Sequence, residues 1–218
     1  MYKTLPKKKQ RPKVRLPFGA AALVAIAVAI AWFFWPIGIA NVAMDTLQAA
    51  RSGDGATLYK HTFEDQVRSA SLTEDMLTKI WQVSVLPRLK DYKQISEPTV
   101  ETSADSSRAT AQVLMKDAEG HQLKLTSQAF ATDSKPRISP MNFVTAMWTQ
   151  EYVVERGKPV TELSALQANI EGLYHDRAEL EAAGLLGFPS REGDESFASW
   201  DQAMASWQQS IKSLKGQT

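Results

Sequence analysis

The 218-residue chain contains no cysteine, which excludes disulfide scaffolds, thiolate metal sites and cysteine nucleophiles. It also lacks a Walker A loop, a dinucleotide-binding glycine fingerprint, a G-x-S-x-G elbow and a zinc motif. The histidines, His61, His121 and His175, have no second ligand at a metal-binding spacing, and His175 and Asp176 are expected to diverge as neighbours on a helix. The sequence therefore predicts no metal, no cofactor and no catalytic residue, and we expect a protein that is not an enzyme.

Charge is distributed very unevenly along the chain, although the net charge is only +1. Residues 1–15 carry seven basic residues and no acid, residues 16–44 carry no charge, and residues 45–218 have a net charge of −6. A globally basic nucleic-acid-binding protein is excluded by this distribution, so no nucleic acid is expected as a partner.

The uncharged segment contains a run of 18 apolar or small residues from Phe18 to Trp35. A run of this length, next to a basic tail, predicts a single transmembrane helix over residues 16–40. The prediction places residues 1–15 in the cytoplasm, the helix in the lipid of a cell inner (plasma) membrane, and the following domain outside the cytoplasm. The alternative is a cleaved signal peptide ending at Ala40, which would make the chain a secreted protein, although the apolar run is longer than a usual signal peptide requires.

Helical periodicity begins at Val42 and predicts helices separated by recognisable caps. Gly53 is expected to end the first helix, Asp54 to cap the second and Thr73 to cap the third, which Pro87 is expected to stop. On the third helix Trp81 lies on the apolar side, so it is predicted to be buried against the sheet.

The period then changes to that of β-strands. Strands are predicted over residues 109–115 and 122–130, joined by a turn in which Gly120 has a positive φ. The apolar face of the second strand is interrupted at Ser127. A stub of strand follows at residues 137–138, and a helix is expected to start at Ser139 and Pro140. Helices followed by an antiparallel meander and another helix predict an α+β domain over residues 41–156, with helices packed on a curved antiparallel sheet.

The segments LQAARSGDGATLYKHTF and LTEDMLTKIWQVSVLP, followed by the predicted strands, resemble the nuclear transport factor 2-like (cystatin-like cone) superfamily over residues 41–138. The resemblance implies a curved sheet and helices that enclose a pocket, which some relatives use for catalysis and many use for binding or dimerisation. The His and Asp pairs of catalytic relatives are not found at matching positions. An anchored enzyme or a carrier of a small ligand remains an alternative, with pocket candidates Tyr59, His61, Trp81, Phe130 and Trp148.

Residues 157–218 show two heptad-like stripes separated by glycine and proline, which predicts a C-terminal helical hairpin. Arg177 interrupts the first stripe, whereas the second continues through Leu214. Because two tryptophans on one helix face are not expected to stay exposed, we expect this face to contact the α+β domain or a partner protein. The interface candidates are Trp200, Met204, Trp207 and Ile211. The favoured function is non-catalytic binding or assembly, with a protein partner or self-association.

Overall fold

The computed structural model describes residues 38–133, 135–189, 191–192, 195–196 and 199–216. Helix α1 covers residues 38–52 and is followed by short helices with the bounds α2 Gly55–His61, α3 Glu64–Ser69 and α4 Glu74–Ile80. A π-helical turn, Trp81–Val85, joins α4 to α5, Leu86–Leu89. After the strands come α6, Met141–Thr149, a second π-helical turn, Gln150–Val154, and the longer helices α7, Glu162–Ala182, and α8, Trp200–Gly216.

The helix ends follow from local hydrogen bonding. Gly53 adopts a φ of +77° after α1, Asp54 accepts the backbone N–H of Thr57 at the start of α2, and Thr73 accepts that of Met76 at the start of α4. These three caps agree with the sequence prediction. Helix α6 instead begins at Met141, and its N-cap, Pro140, makes no side-chain cap bond.

Pro87 does not end the helical segment, contrary to the sequence prediction. The backbone N–H of Leu86 donates to the carbonyl of Trp81, five residues earlier, so the turn is wider than an α-helical one. Pro87 then occupies the first turn of α5, a position at which proline is tolerated.

One antiparallel sheet forms the β layer. Its strands are β1 Lys93–Gln94, β2 Thr99–Thr102, β3 Arg108–Lys116, β4 Gln122–Phe130 and β5 Arg137–Ile138. Strand β3 pairs with β1 and β2 on one side and along its whole length with β4 on the other. Strand β5 pairs with β4 only at Ala129 and Phe130. Two further two-residue strands, β6 Arg191–Glu192 and β7 Glu195–Ser196, form a separate pair between α7 and α8.

The odd-numbered residues of β3 and β4 face the helices and are buried, while the even-numbered residues face outward. Ser127, which interrupts the apolar pattern of β4, is fully buried, and its hydroxyl lies 2.7 Å from that of Thr46 on α1. The interruption in the sequence is therefore a hydrogen bond between α1 and the sheet, because a buried hydroxyl needs a partner. This arrangement of helices on a curved antiparallel sheet confirms the α+β prediction.

Helices α7 and α8 pack into the same hydrophobic core as the sheet and the first helices. Leu173 and Leu180 of α7 and Trp200, Ala203 and Trp207 of α8 are all buried. The described residues accordingly form one compact unit.

The prediction of a transmembrane helix, and with it of a single-pass membrane protein, is corrected. Across the ranges described above, no helix is long and apolar enough to cross a bilayer. Residues 38–40, the end of the predicted span, belong to α1, where Ile39 is fully buried in the core of the domain. The basic tail and the remainder of the 16–40 prediction lie outside the described residues.

Candidate binding groove beside the fourth strand

The structure does not bring the five pocket candidates together around one cavity. Trp81 and Trp148 have no exposed surface, so neither contacts a ligand in this conformation. Their rings are covered by other aromatic side chains: Phe143 lies edge-on to Trp81 at 5.7 Å, and Phe188 stacks on Trp148 at 5.7 Å. The prediction that Trp81 is buried is confirmed, although its indole N–H donates to the carbonyl of Ala50 on α1. The interior of the domain is filled by its own side chains.

The other three pocket candidates, Tyr59, His61 and Phe130, are half-buried and lie away from the interior positions of Trp81 and Trp148. Phe130 lines a surface cavity of about 560 Å³ together with Phe63, whose ring centroid is 5.9 Å away. The Nδ1 atom of His61 is buried and has no hydrogen-bond partner in the described part of the chain. Burial, together with the charge of Lys60, lowers the pKa of His61, so its neutral form is favoured. Tyr59 is partly buried and packs against the hydrophobic core.

The interface candidates divide into a covered pair and a half-buried pair. Trp200 and Trp207 each retain only 3% of their exposed surface, because Phe188 packs on both rings. Met204 and Ile211 are half-buried at the side of α8. Phe188, which covers both tryptophan rings, lies between α7 and α8, within the predicted hairpin region itself, and was not identified from the sequence.

A buried polar network, also not identified from the sequence, connects α5 to α7. Asp176 is 4% exposed, and its carboxylate accepts two N–H groups of Arg88, at 3.0 and 3.2 Å, and the indole N–H of Trp148 at 2.8 Å. Arg88 also donates to Glu151. Although burial opposes the charged guanidinium, its bonds to Asp176 and Glu151 raise the pKa of Arg88. This network is structural, because the groups satisfy one another inside the protein.

The adjacent residue His175 lies closer to Asp176 than the sequence prediction of diverging side chains allowed. Its Nδ1 atom is 3.4 Å from the Asp176 carboxylate, while the imidazole remains largely exposed. Arg177, which interrupts the heptad stripe, bonds to Glu181 on its own helix and to Asp201 on α8, so it joins the two hairpin helices at their exposed edge.

A polar groove of about 770 Å³ lies where α5 meets the turn between β3 and β4. In it, the Nδ1 atom of His121 is 2.7 Å from the Asp117 carboxylate, and this contact raises the pKa of His121. Tyr92 donates to Glu155 at 2.8 Å and accepts from Gln150 at 2.7 Å; burial and Glu155 raise the pKa of Tyr92.

An Asp–His pair can serve as a general base, and this pair also holds the turn between β3 and β4 in place. Asp117 also accepts the backbone N–H groups of Gly120 and His121, both at 2.7 Å, and so holds the turn in which Gly120 has a φ of +99°. The lining of the groove includes no serine, threonine or cysteine that could act as a nucleophile. Within the described residues no group of three or more His, Asp or Glu side chains is placed to hold a metal ion.

The two edges of the sheet differ in how well they are protected against pairing with another strand. On the first edge, β1 and β2 form one interrupted strand: Ile95 donates to Leu114, Thr99 pairs with Gln112, and residues 96–98, including a proline, bulge between them. The Ser96 hydroxyl accepts the N–H of Leu114 at 3.0 Å in place of a backbone carbonyl. A bulge, a proline and exposed charges are devices that prevent another strand from pairing with an edge.

The second edge is the side of β4 that faces away from β3. The N–H of Ala131 donates to Ser107 at 2.8 Å, in register with the β3–β4 ladder, so odd-numbered residues of β4 bond to β3. Because the backbone groups of an antiparallel strand alternate in direction, the N–H and C=O of Lys124, Thr126 and Gln128 point to the opposite side. The described residues supply no hydrogen-bond partner for the backbone groups of Lys124 and Thr126, whereas Gln128 adjoins the Ala129–Ile138 pair at which β4 is joined to β5. This stretch has no bulge and no proline.

A groove runs beside this free edge, between β4 and α6. It consists of adjoining cavities of about 260 and 450 Å³ that share Lys124, Asn142 and Ala146. We call it the β4–α6 groove. Most of the residues that line it are small or polar, among them Lys124, Thr126, Gln128, Ser139, Asn142, Thr145, Ala146, Thr149 and Asn169. Its larger apolar lining residues are Leu123, Ile138, Phe143, Val154 and Val160. Ser139 and Asn142 also line the cavity that contains Phe130, so the groove continues to the end of β4.

Comparison of the chain with models of protein families, with curated proteins and with solved structures finds no match. The groove and the free strand edge are therefore interpreted from their own geometry and chemistry.

Proposed function

We propose that this domain is a non-catalytic binding module that takes an extended segment of a partner protein into the β4–α6 groove. The segment pairs with the free edge of β4 and extends the sheet by one strand. The observation that carries the proposal is the unbulged edge of β4, whose outward N–H and C=O groups adjoin the β4–α6 groove. Strand addition of this kind obtains affinity from backbone hydrogen bonds and specificity from alternate side chains.

The dimensions of the groove suit an extended chain. Residues 124–128 span roughly 14 Å at about 3.4 Å per residue, so a segment of about five residues covers the free edge. Helix α6 then covers one face of the added strand, while the other face remains in solvent. A small ligand is less well accommodated, because Trp81, Phe143 and Trp148 fill the interior where a cone-shaped domain would hold one.

The resemblance to nuclear transport factor 2-like domains is retained here as a proposal. It is supported by the order of elements, with helices preceding an antiparallel meander and another helix. The filled interior favours the binding or dimerisation seen in many such relatives over the catalysis seen in some.

The test uses a substitution that removes one outward N–H without breaking the β3–β4 ladder. Phage-displayed random nine-residue peptides are selected on the full chain, and the dissociation constant of a selected peptide is then measured for Thr126→Pro. We expect binding to weaken about tenfold, because a backbone hydrogen bond is lost and the proline ring obstructs the approach of the peptide. Thr126→Val, which keeps the N–H, should bind within about twofold of the original chain.

Val100→Pro is the matched control on the other edge. Val100 lies between the β2 residues that bond to β3, so its N–H also points outward, and it is exposed. This substitution should leave peptide binding unchanged. Failure to select any peptide, or equal binding by Thr126→Pro and Val100→Pro, would contradict the proposal. On addition of the peptide, the amides of residues 124, 126 and 128 should become protected from hydrogen exchange.

A further inference from the structure

We infer that the partner segment carries an acidic residue opposite Lys124, with small apolar residues on either side of it. This inference rests on the proposed function, since it specifies the chemistry of the segment that occupies the β4–α6 groove.

The positive charge of Lys124 indicates an acidic residue on the partner segment. It is the only charged residue among those that line the two cavities beside the free edge. Its side chain is exposed, and it forms no salt bridge within the described ranges. A residue directly opposite Lys124 on an added strand would place its side chain on the same face, with about 5 Å between the Cβ atoms. A carboxylate at that position would pair with the ammonium group, whereas a lysine or arginine would be repelled.

The neighbours of the acidic residue face the other side of the added strand, because side chains alternate. That side is the one covered by α6, where Phe143 and Ala146 line the groove. Phe143 is only 2% exposed, whereas Ala146 is exposed and presents a single methyl group, so the surface beside Ala146 suits a small apolar side chain such as alanine or valine. The predicted segment therefore reads apolar, acidic, apolar, at a register set by Lys124.

Asn169 supplies an independent observation at the end of the groove. Its side-chain amide oxygen is buried and has no hydrogen-bond partner among the described residues, although it lines the same cavity as Lys124. A buried acceptor of this kind is satisfied when a bound segment donates an N–H or O–H group to it. A segment that passes Lys124 and enters this cavity would bring such a donor within reach.

The test compares three nine-residue peptides that are identical except at the centre, where they carry glutamate, glutamine or lysine between two valines. Alternating serine and alanine complete each peptide, and a fluorophore at one end reports binding to the full chain by anisotropy. We expect the glutamate peptide to bind about two- to fivefold more tightly than the glutamine peptide, as for an exposed ion pair. The lysine peptide should bind most weakly. Lys124→Glu should reverse the order of the glutamate and lysine peptides, and Lys124→Met should remove the difference.

Thr126→Pro separates this inference from the proposed function. If all three peptides bind equally and Lys124→Glu changes nothing, while Thr126→Pro weakens all three, strand addition stands and the acidic preference is overturned. If none of the three peptides binds although selection yields a peptide that Thr126→Pro weakens, the acidic preference is overturned and strand addition stands. If Thr126→Pro has no effect on any bound peptide, both are overturned. Sedimentation measurements address a second copy of the chain as the occupant: a dimer that Thr126→Pro dissociates would overturn the inferred partner segment. A monomer showing the glutamate preference, together with its reversal, supports it.

Discussion

The indole N–H groups of Trp81 and Trp148 and the carboxylate of Asp176 have hydrogen-bond partners in the interior of the domain, whereas backbone groups along the free edge of β4 lack them within the described residues. In the interior, two fully buried tryptophans are enclosed by aromatic neighbours, and the charge of Asp176 is satisfied by Arg88 and an indole N–H. Along β4, a row of backbone donors and acceptors points into a groove and finds no partner within the described chain. The difference indicates that stability resides in the interior, and the proposed function assigns binding to the edge. The following predictions test this division, from the largest expected effect to the smallest.

Replacement of the buried Trp81 should have the largest effect on folding. Trp81→Ala removes a fully buried indole and its bond to Ala50, so the free energy of unfolding should fall by about 3–5 kcal/mol. Urea unfolding followed by circular dichroism measures this change. Tyr174→Ala is the control, because Tyr174 is 82% exposed and its loss should change stability by less than about 0.5 kcal/mol. A loss below about 1 kcal/mol for Trp81→Ala would mean that the interior tolerates a cavity.

The buried charge pair should show strong coupling. Asp176→Ala leaves the guanidinium of Arg88 buried with one fewer carboxylate, so we expect a loss of about 3–5 kcal/mol. The double variant Arg88→Met, Asp176→Leu should be closer to the original stability, because an apolar pair needs no compensating charge. A double-mutant cycle by urea unfolding measures the coupling. Additive losses would show that the two side chains act independently.

Gly172 tests how tightly the interior is packed. A Cβ atom added at Gly172 would lie 2.1 Å from Cγ of the fully buried Trp148. Gly172→Ala should therefore destabilise the domain by about 1–3 kcal/mol, although alanine favours helix by about 1 kcal/mol. Gly216→Ala in α8 is the matched control, because nothing lies within 4 Å of its added Cβ, and it should not destabilise the domain. Thermal unfolding distinguishes the two, and equal midpoints would contradict tight packing.

The pKa values of His61 and His121 are shifted in opposite directions, the first by burial and the second by a nearby carboxylate. Burial lowers the pKa of His61 below its ordinary value near 6.5, whereas Asp117 raises that of His121. Stability from the His121 pair is therefore present below pH 6.5 and is lost as the pH rises through the raised pKa. Stability linked to neutral His61 is present above pH 6.5 and is lost as the pH falls through the lowered pKa. Nuclear magnetic resonance titration should show the two shifts in opposite directions, and Asp117→Asn should abolish only that of His121.

Short-range features of this fold were predictable from the sequence. Gly53, Asp54, Thr73 and Gly120 act through hydrogen bonds or φ values that involve residues three or four positions away at most. The alternation of β3 and β4 is equally local, so the strands and their connecting turn were predicted correctly. The tryptophan face of α8 was also recognised as requiring cover, because its spacing alone places Trp200 and Trp207 on one side of a helix.

The remaining features depend on residues that are distant in the chain. The hydrogen bond between Thr46 and Ser127 spans 81 positions, and that between Arg88 and Asp176 spans 88, so neither has a spacing that a motif could reveal. The pocket candidates were chosen as residues that suit a cavity, but whether an aromatic side chain lines a cavity or fills it depends on its neighbours. Phe143 and Phe188 occupy the space that the prediction left open.

The sequence by itself determined the helix caps at Gly53, Asp54 and Thr73, strands β3 and β4, the α+β class and the apolar faces, because periodicity and capping act over a few residues. Only the tertiary structure decided that the interior is closed, that residues 38–40 belong to a domain helix, and that part of one edge of the sheet remains unpaired. Strand β4 acquires a free edge because β5 is only two residues long and the chain turns into α6 directly afterwards. The resulting row of unpaired backbone groups exists only once β3, β4 and α6 are assembled, because every residue type has such groups and no side chain marks them.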